Sequence, residues 1–255
     1  MTGTVNTERV GAHVLVAELD NPPRNILQSG MVSRLDSLLS EIDSDRDIRV
    51  LVVAGKGRAF CVGADLRGGP GGGPARLTED TAGIAPMLSK LESTRVPVVA
   101  LVNGACVGGG LELALRCDIR LASTEARFVA AGVNVGLVAS ADRLPRLIGV
   151  AAAKAMLLTG DAIDAQTALR FNLVTAVHPP GALRDAGLVL AERIASGAPL
   201  AVAAAKRIAT RSPDLTAEQG TLAVRAEAEA LAKTADHAEA VRAFLDKRTP
   251  QFEGR

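Results

Sequence analysis

Two segments of this chain combine glycines with polar or acidic side chains directly after a hydrophobic run. Residues 56–66 have the sequence KGRAFCVGADL, and residues 103–113 have the sequence NGACVGGGLEL. Glycines between a strand and a helix expose backbone N–H groups at the helix N-terminus, where the helix dipole also favours negative charge. Such turns suit an anion, or a carbonyl oxygen that becomes negatively charged during a reaction.

The second segment also carries a carboxylate. If the N–H of Gly109 and an N–H of the first segment converge, they form an oxyanion hole, where losing one donor typically costs ~10²–10³-fold in rate. Glu112 falls in the first turn of the predicted helix, within reach of an atom beside such a carbonyl. Each feature alone has a simpler interpretation: the glycines allow close packing, and the glutamate complements the helix dipole. The presence of two such segments in one chain favours the catalytic interpretation.

Hydrophobic patterning predicts the elements that hold these segments. Short apolar and β-branched runs predict strands at residues 10–19, 48–54, 98–102 and 119–122. A helix with Ser29 as its possible cap is predicted from helical spacing of Leu35, Leu38, Leu39 and Ile42, and a second helix covers residues 111–116. The alternation of strands and helices predicts an α/β fold with at least partly parallel pairing.

The composition changes after about Ala151, where alanine-rich helical segments begin. Thr216–Gln219 and Asp236–Glu239 have the pattern of capping boxes, which predicts helix starts at both places. These helices could cover the α/β core or form a subunit interface. We divide the chain into an α/β core, residues 1–195, and a C-terminal helical region, residues 196–255. Residues 68–74, GGPGGGP, are predicted to form a mobile surface loop.

Composition excludes several functional classes. The 255 residues are 48% hydrophobic with a net charge of +1, which excludes intrinsic disorder. An aromatic content of 2% and no basic excess argue against nucleic-acid binding. The longest apolar stretch, residues 96–102, is too short for a membrane span, and no secretory signal is visible. We therefore expect a cytoplasmic protein.

The chain has few other residues with reactive or metal-binding side chains. Cys61, Cys106 and Cys117 form no C-x-x-C pair and are predicted to be buried thiols. The three histidines are scattered, so no metal site is expected. The sequence also lacks the G-x-S-x-G, P-loop and complete G-x-G-x-x-G motifs, which leaves serine hydrolases, P-loop NTPases and dinucleotide-binding enzymes without support.

The order and spacing of several motifs together resemble the crotonase (enoyl-CoA hydratase/isomerase) superfamily. The motifs are RNIL at 24–27, AFCVGADL at 59–66, NGACVGGGLE at 103–112, CD at 117–118, GL at 136–137, RLPRLIG at 143–149, LTG at 158–160 and KRTPQF at 247–252. The resemblance implies a crotonase-like spiral of β-β-α turns, followed by C-terminal helices that form a homotrimer or a hexamer of paired trimers. It also implies acyl-CoA thioester substrates and no separate cofactor, since coenzyme A is part of the substrate.

The resemblance assigns roles to individual residues. Ala64 and Gly109 would hold the thioester oxygen through their N–H groups, and Glu112 would act as the acid/base group. A basic residue, Lys56 or Arg24, could lie near the phosphates or could be a solvated loop charge. The substrate contacts implied are Arg24, Ile26, Ala59, Val62, Gly63, Asp65, Leu66, Gly108, Gly132 and Leu137.

The sequence departs from the family at one catalytic position. Family hydratases use a second glutamate, and alignment places Gly132 there. In the dienoyl-CoA isomerase branch an aspartate follows, and Ser140 stands at its place, in a shortened turn. Asp142 could enter the site from this turn, or it could cap a helix starting at Arg143.

A positioned acid or base typically contributes 10²–10⁴-fold in rate, so the missing carboxylate matters. Three substitutes are conceivable: water or a bound anion such as bicarbonate beside Gly132, Asp142, or a reaction that needs one carboxylate. The leading hypothesis is an enzyme of the hydratase/isomerase type. The alternative is a catalytically weak or inactive acyl-CoA-binding protein.

Overall fold

The computed structural model describes residues 3–64 and 83–255. Asp65, Leu66 and the predicted loop at 68–74 lie outside these residues. The strands are β1 Thr4–Val10, β2 Val14–Asp20, β3 Val50–Gly55, β4 Ala59–Cys61, β5 Val98–Val102, β6 Ala105–Val107, β7 Ile119–Ser123, β8 Arg127–Val129, β9 Ile163–Asp164 and β10 Ala176–His178.

Helices follow the strands and dominate the C-terminal third, as predicted. They are α1 Ser29–Ser44, α2 Ile84–Ser93, α3 Gly109–Leu115, α4 Leu144–Ile148, α5 Val150–Thr159, α6 Ala165–Arg170, α7 Leu183–Ala195, α8 Pro199–Arg211, α9 Ala217–Leu231 and α10 Ala235–Leu245. Short 3₁₀ helices cover Val133–Val135, Pro180–Ala182 and Ser212–Asp214.

The strands form two sheets. The large sheet has the order β1-β2-β3-β5-β7-β10, and the small sheet has the order β4-β6-β8-β9. All pairs are parallel except β1 with β2 and β8 with β9. From β3 to β8, successive strands alternate between the two sheets, so that β5, β6 and α3 make one β-β-α turn of a spiral. This is the predicted α/β architecture.

The central strands of the large sheet are buried on both faces. In β3, Leu51 and Val53 belong to one core cluster, while Val50 and Val52 belong to a second cluster on the opposite face, under α7. A strand covered on both faces needs apolar residues at every position, which explains the continuous apolar runs of β3 and β5.

The N-terminal strand prediction is wrong in its bounds. Residues 10–19 do not form one strand: β1 ends at Val10, a turn with Gly11 at φ +60° follows, and β2 begins at Val14. Strand β1 lies at the sheet edge, and most of its side chains are exposed. An exposed edge strand has no apolar period, so the pattern does not indicate it.

One predicted helix cap is confirmed, and two are wrong. Thr216 and Gln219 form the full capping box of α9. Ser29 is instead the first residue of α1, which has no side-chain cap. Helix α10 is capped by Thr234, while the buried Asp236 accepts hydrogen bonds from the N–H groups of Glu253 and Gly254 and so fixes the C-terminal tail.

A buried ion pair joins the C-terminal helices to the α/β core. Lys206 on α8 donates to the Val96 carbonyl and lies 2.9 Å from the Asp118 carboxylate. In the described part of the chain, no single helix is both long and apolar enough to cross a membrane. One bent pair, Pro180–Ala195 with Pro199–Asp214, qualifies by length and composition together, with a bend of 108°.

Candidate active site

The two glycine segments meet at Gly63 and Gly109. A Cβ at residue 63 would lie 2.6 Å from the Gly109 nitrogen, and the φ of Gly63 is +83°, so only glycine suits this position. A Cβ at residue 109 would lie 3.5 Å from the Ala64 nitrogen. The backbone N–H groups of Ala64 and Gly109, the pair that the family resemblance implies, are therefore neighbours.

Both N–H groups lack a backbone partner among the described residues. Leu27 pairs with Ala64 in a parallel bridge, in which the Leu27 N–H donates to the Gly63 carbonyl at 2.9 Å. Gly109 is the first residue of α3, so its N–H has no partner within the helix. Neither the Ala64 N–H nor the Gly109 N–H donates to any backbone carbonyl within residues 3–64 and 83–255.

Close packing and a positive φ require glycine at several positions of the second segment. A Cβ at Gly110 would overlap the Cys61 carbonyl, and a Cβ at Gly104 would overlap the Arg58 carbonyl. Gly108 adopts φ +52° and donates its N–H to the Val129 carbonyl, which turns the chain from β6 into α3. The simple packing interpretation is thus also correct, for different glycines of the same run.

Glu112 lies half-buried on the first turn of α3. Its backbone N–H donates to the Gly108 carbonyl at 3.0 Å. Because side chains four residues apart share a helix face, Gly108, Glu112 and Arg116 form a row on one side of α3. We call this side the Glu112 face. No side chain among the described residues forms an ion pair with the Glu112 carboxylate.

The Cβ position of Gly132, from which the missing carboxylate would extend, is occupied by the chain itself. A Cβ at Gly132 would lie 2.8 Å from the Leu137 carbonyl oxygen and 3.0 Å from the Ala139 nitrogen. The Leu137 N–H donates to the Gly132 carbonyl at 2.8 Å, which holds the turn against it. Of the three substitutes considered, water or an anion standing directly at the Cβ position of Gly132 is therefore excluded by the backbone of the turn.

Asp142 neither enters the site nor caps a helix. Its side chain is 61% exposed, and it lies 3.4 Å from Arg116 and 3.6 Å from Arg143. Helix α4 begins at Leu144 without a side-chain cap. The predicted helix start at Arg143 and its Asp142 cap are wrong, because neighbouring arginines hold the carboxylate at the surface.

Ser140 has an unusual environment. It is 2% exposed, has φ +60°, and its Oγ is buried without a hydrogen-bond partner. Only a few per cent of non-glycine residues have positive φ, and buried hydroxyls are normally hydrogen-bonded. The sequence identifies Ser140 by alignment alone; its burial and backbone conformation have no sequence signal.

A residue missed by the sequence analysis fixes the first segment. Asn25 is fully buried at φ +52°, and its amide donates to the carbonyls of Ala59 at 2.8 Å and Lys56 at 3.0 Å. The Val62 N–H also donates to the Arg24 carbonyl. These bonds bring Arg24 and the half-buried Ile26 beside the predicted substrate contacts Ala59, Val62 and Gly63.

The predicted phosphate cations differ in their surroundings. Lys56 lies 2.6 Å from Asp20, and this hydrogen bond lowers the pKa of Asp20 and raises the pKa of Lys56. Arg24 is exposed. Phosphate binding by Lys56 would therefore compete with an existing ion pair, whereas Arg24 is accessible at the surface.

The three cysteines are buried, as predicted. Burial raises the pKa of Cys61 and of Cys117 to about 12, and it also raises the pKa of Cys106. Thiols in this environment are protonated at neutral pH, so none of them is suited to act as a nucleophile.

A model of the enoyl-CoA hydratase/isomerase family matches residues 9–255. The chain belongs to this family. An enoyl-CoA hydratase from Bacillus anthracis superposes on this member with a TM-score of 0.95, at 32% identity, covering 99% of this chain and 100% of the other. The (E)-benzylidenesuccinyl-CoA hydratase of Thauera aromatica is 38% identical, covering 97% of this chain and 98% of its own length. The 2,3-dehydroadipyl-CoA hydratase of Escherichia coli is 36% identical, covering 95% and 96%.

The comparisons confirm the predicted superfamily and the crotonase fold for this enoyl-CoA hydratase/isomerase family member. The family consists of enzymes that act on acyl-CoA thioesters. The structure brings Gly63, Ala64, Gly108, Gly109 and Glu112 together.

Proposed function

We propose that this protein is an enoyl-CoA hydratase, which adds water reversibly across the double bond of a 2-enoyl-CoA. The observation that carries the proposal is the contact between the two glycine turns, which sets the N–H groups of Ala64 and Gly109 side by side next to the helix that carries Glu112. Two similar proteins are named as hydratases of CoA thioesters, which supports hydration over isomerisation.

The proposed reaction balances with one carboxylate. The Ala64 and Gly109 N–H groups bind the thioester oxygen, which becomes negative as the enolate forms. Glu112 takes a proton from water while the water oxygen bonds to C3 and the C2–C3 π electrons move toward the thioester. Glu112 then gives that proton to C2, and the thioester carbonyl is restored. Coenzyme A leaves with the product, so this reaction uses no further cofactor.

The acyl group is a separate question. The Thauera relative is named for a benzylidenesuccinyl thioester and the Escherichia relative for a dehydroadipyl thioester, and each of these acyl groups keeps one free carboxylate. We therefore propose testing enoyl-CoAs with a terminal carboxylate beside plain short- and medium-chain crotonyl-type substrates. The test measures loss of the conjugated enoyl thioester absorbance. Turnover on any member of this panel supports a hydratase, and hydration of none contradicts it.

Filling of the Gly132 position by the turn favours a second candidate, an acyl-CoA-binding protein with little or no catalysis. Calorimetric titration with a saturated acyl-CoA separates the two. Micromolar binding together with no turnover on the whole panel favours the binding protein. Micromolar binding together with turnover favours the enzyme.

We also propose a homotrimer or a hexamer of paired trimers. Helix α9 has no buried residue, and large apolar side chains on the C-terminal helices are exposed, including Leu222, Phe244 and Leu245. Light scattering coupled to size-exclusion chromatography measures the mass directly. The domain boundary near residue 195, which falls between α7 and α8, and the cytoplasmic location stay predictions.

A further inference from the structure

The direction of the Ala64 N–H is set by the peptide group that joins Gly63 to Ala64. The Leu27 N–H donates to the Gly63 carbonyl at 2.9 Å, so this carbonyl points toward Leu27. The Gly63–Ala64 peptide is trans, and in a trans peptide the C=O and the following N–H point in opposite directions. The Ala64 N–H therefore points away from Leu27. Gly109 lies beside it, since a Cβ of Gly109 would stand 3.5 Å from the Ala64 nitrogen.

Leu27 belongs to a short segment, residues 24–27, that lies beside residues 62–64. Two hydrogen bonds join these segments: the Val62 N–H donates to the Arg24 carbonyl at 3.2 Å, and the Leu27 N–H donates as described above. Residues 24–27 form a turn with a single bridge rather than a strand. The place of this turn therefore depends on bonds other than a regular strand ladder.

The side chain of Asn25 supplies such bonds. Asn25 is fully buried, and its amide nitrogen lies 2.8 Å from the Ala59 carbonyl oxygen, 3.0 Å from that of Lys56 and 3.2 Å from that of Phe60. Its Oδ1 accepts from the Asn21 N–H at 2.9 Å. One side chain thus ties its own turn to the start of β4, the strand that leads into the first glycine turn.

Both the backbone and the amide of Asn25 matter at this position. Its φ is +52°, in the left-handed region, which asparagine adopts more readily than most other residues with a side chain. Glycine would satisfy this backbone conformation without supplying an amide. Because buried carbonyl groups need hydrogen-bond donors, the amide is the feature that distinguishes asparagine from glycine here.

We propose that Asn25 is a positioning residue for the Ala64 N–H. This inference rests on the proposed function, in which the N–H groups of Ala64 and Gly109 bind the thioester oxygen. Asn25 acts through Leu27: it holds the turn at 24–27, and the Leu27 N–H then orients the Gly63–Ala64 peptide. An oxyanion-hole donor stabilises the enolate only if it points to where the negative charge develops, so a rotated peptide would lower the rate.

The test variant is Asn25→Gly, which removes the amide and keeps the left-handed backbone. We expect kcat for hydration to fall ~10–100-fold, less than the ~10²–10³-fold loss of a whole oxyanion-hole donor. The second readout is the infrared stretching frequency of a saturated acyl-CoA with a ¹³C-labelled thioester carbonyl. Binding to two aligned N–H donors lowers this frequency relative to the free ligand, and the lowering should shrink in Asn25→Gly. Loss of stability alone would not change the frequency of ligand that stays bound.

Asn172→Gly is the matched control, because Asn172 is an exposed asparagine with φ +61°. This variant should keep both the wild-type kcat and the wild-type carbonyl frequency. If Asn25→Gly does not fold, Asn25→Ser takes its place in the same comparison. Serine keeps one hydroxyl donor, so its losses should have the same direction and be smaller.

An unchanged carbonyl frequency in the Asn25 variant would overturn the role of Asn25, whether or not kcat falls, since the Ala64 N–H would then still point to the oxygen. Lower thermal stability with unchanged kcat would overturn it as well. The infrared measurement needs binding but no turnover. A wild-type protein that lowers the frequency and hydrates no enoyl-CoA would therefore overturn the hydratase proposal, while the frequencies still decide the role of Asn25.

Discussion

The Gly109 nitrogen lies 2.6 Å from the point where a Cβ of residue 63 would stand, so the two glycine turns touch at Gly63 and Gly109. The contact joins segments that are far apart in sequence and lie on neighbouring strands of the small sheet. It sets the Ala64 N–H beside the Gly109 N–H, and the proposed catalysis depends on this arrangement.

Gly63→Ala should separate these two donors. The added methyl group meets the Gly109 nitrogen and must also adopt φ +83°. We expect kcat for hydration to fall ~10²–10³-fold, as when one oxyanion-hole donor is lost. Gly149→Ala is the matched control, because Gly149 has φ +78° with open space around it. If both variants lose equal activity, backbone strain rather than displacement of the donors is responsible.

Gly132→Glu should not restore a hydratase with two carboxylates. The side chain would start 2.8 Å from the Leu137 carbonyl oxygen, so the turn would have to move. We expect a loss of about 1–3 kcal/mol in the free energy of unfolding and no gain in hydration. Urea unfolding and steady-state assays measure the two effects. A large gain in kcat would show that the turn yields easily, contrary to the packing described above.

Lys206→Met should loosen the C-terminal helices. Removing the ammonium leaves the Val96 carbonyl and the Asp118 carboxylate without this donor in a largely buried place. Because Asp118 is partly exposed, we expect a loss of up to about 3 kcal/mol rather than more. The exposed Lys154→Met is the control and should change the unfolding free energy little. Equal stability of the two variants would contradict the role of the buried pair.

The buried thiols predict how the stability of the folded chain depends on pH. The pKa of Cys61 and of Cys117 is about 12 in the folded chain, above the ordinary value of 9.0. Above about pH 9 the unfolded chain releases these protons and the folded chain keeps them, so stability should fall as pH rises toward 12. A thiol reagent at pH 8 should react with the native protein only as fast as it unfolds. Rapid reaction of the native protein would show that these cysteines are accessible.

Local pattern predicts much of the fold and the centre of the site. Strands β3 and β5 are continuous apolar runs, and α1 has a clear apolar period, so each has a local signal. Glycine clusters after strands likewise locate Gly109 and Glu112, while Ala64 comes from the family resemblance. Strand β1 gives no signal, because it is an exposed edge.

The surroundings of the site depend on contacts between residues distant in sequence. Asp142 pairs with Arg116, and Asn25 bonds carbonyl groups of residues 56–60; neither partner is indicated by local pattern. The turn that closes over Gly132 is set by backbone conformation, including the left-handed Gly136 and Ser140. The sequence analysis misses these contacts for one physical reason: each of them exists only after the spiral has formed.

The most direct test of the proposed catalysis is Glu112→Gln, which keeps the shape of the side chain and removes its basicity. Steady-state hydration of the best enoyl-CoA should fall ~10²–10⁴-fold in kcat, because the proposed reaction uses Glu112 as its acid/base group. Binding of a saturated acyl-CoA, measured by calorimetry, should be maintained because the Ala64 and Gly109 N–H groups remain. Unchanged hydration by the Glu112→Gln variant would contradict the central role of Glu112.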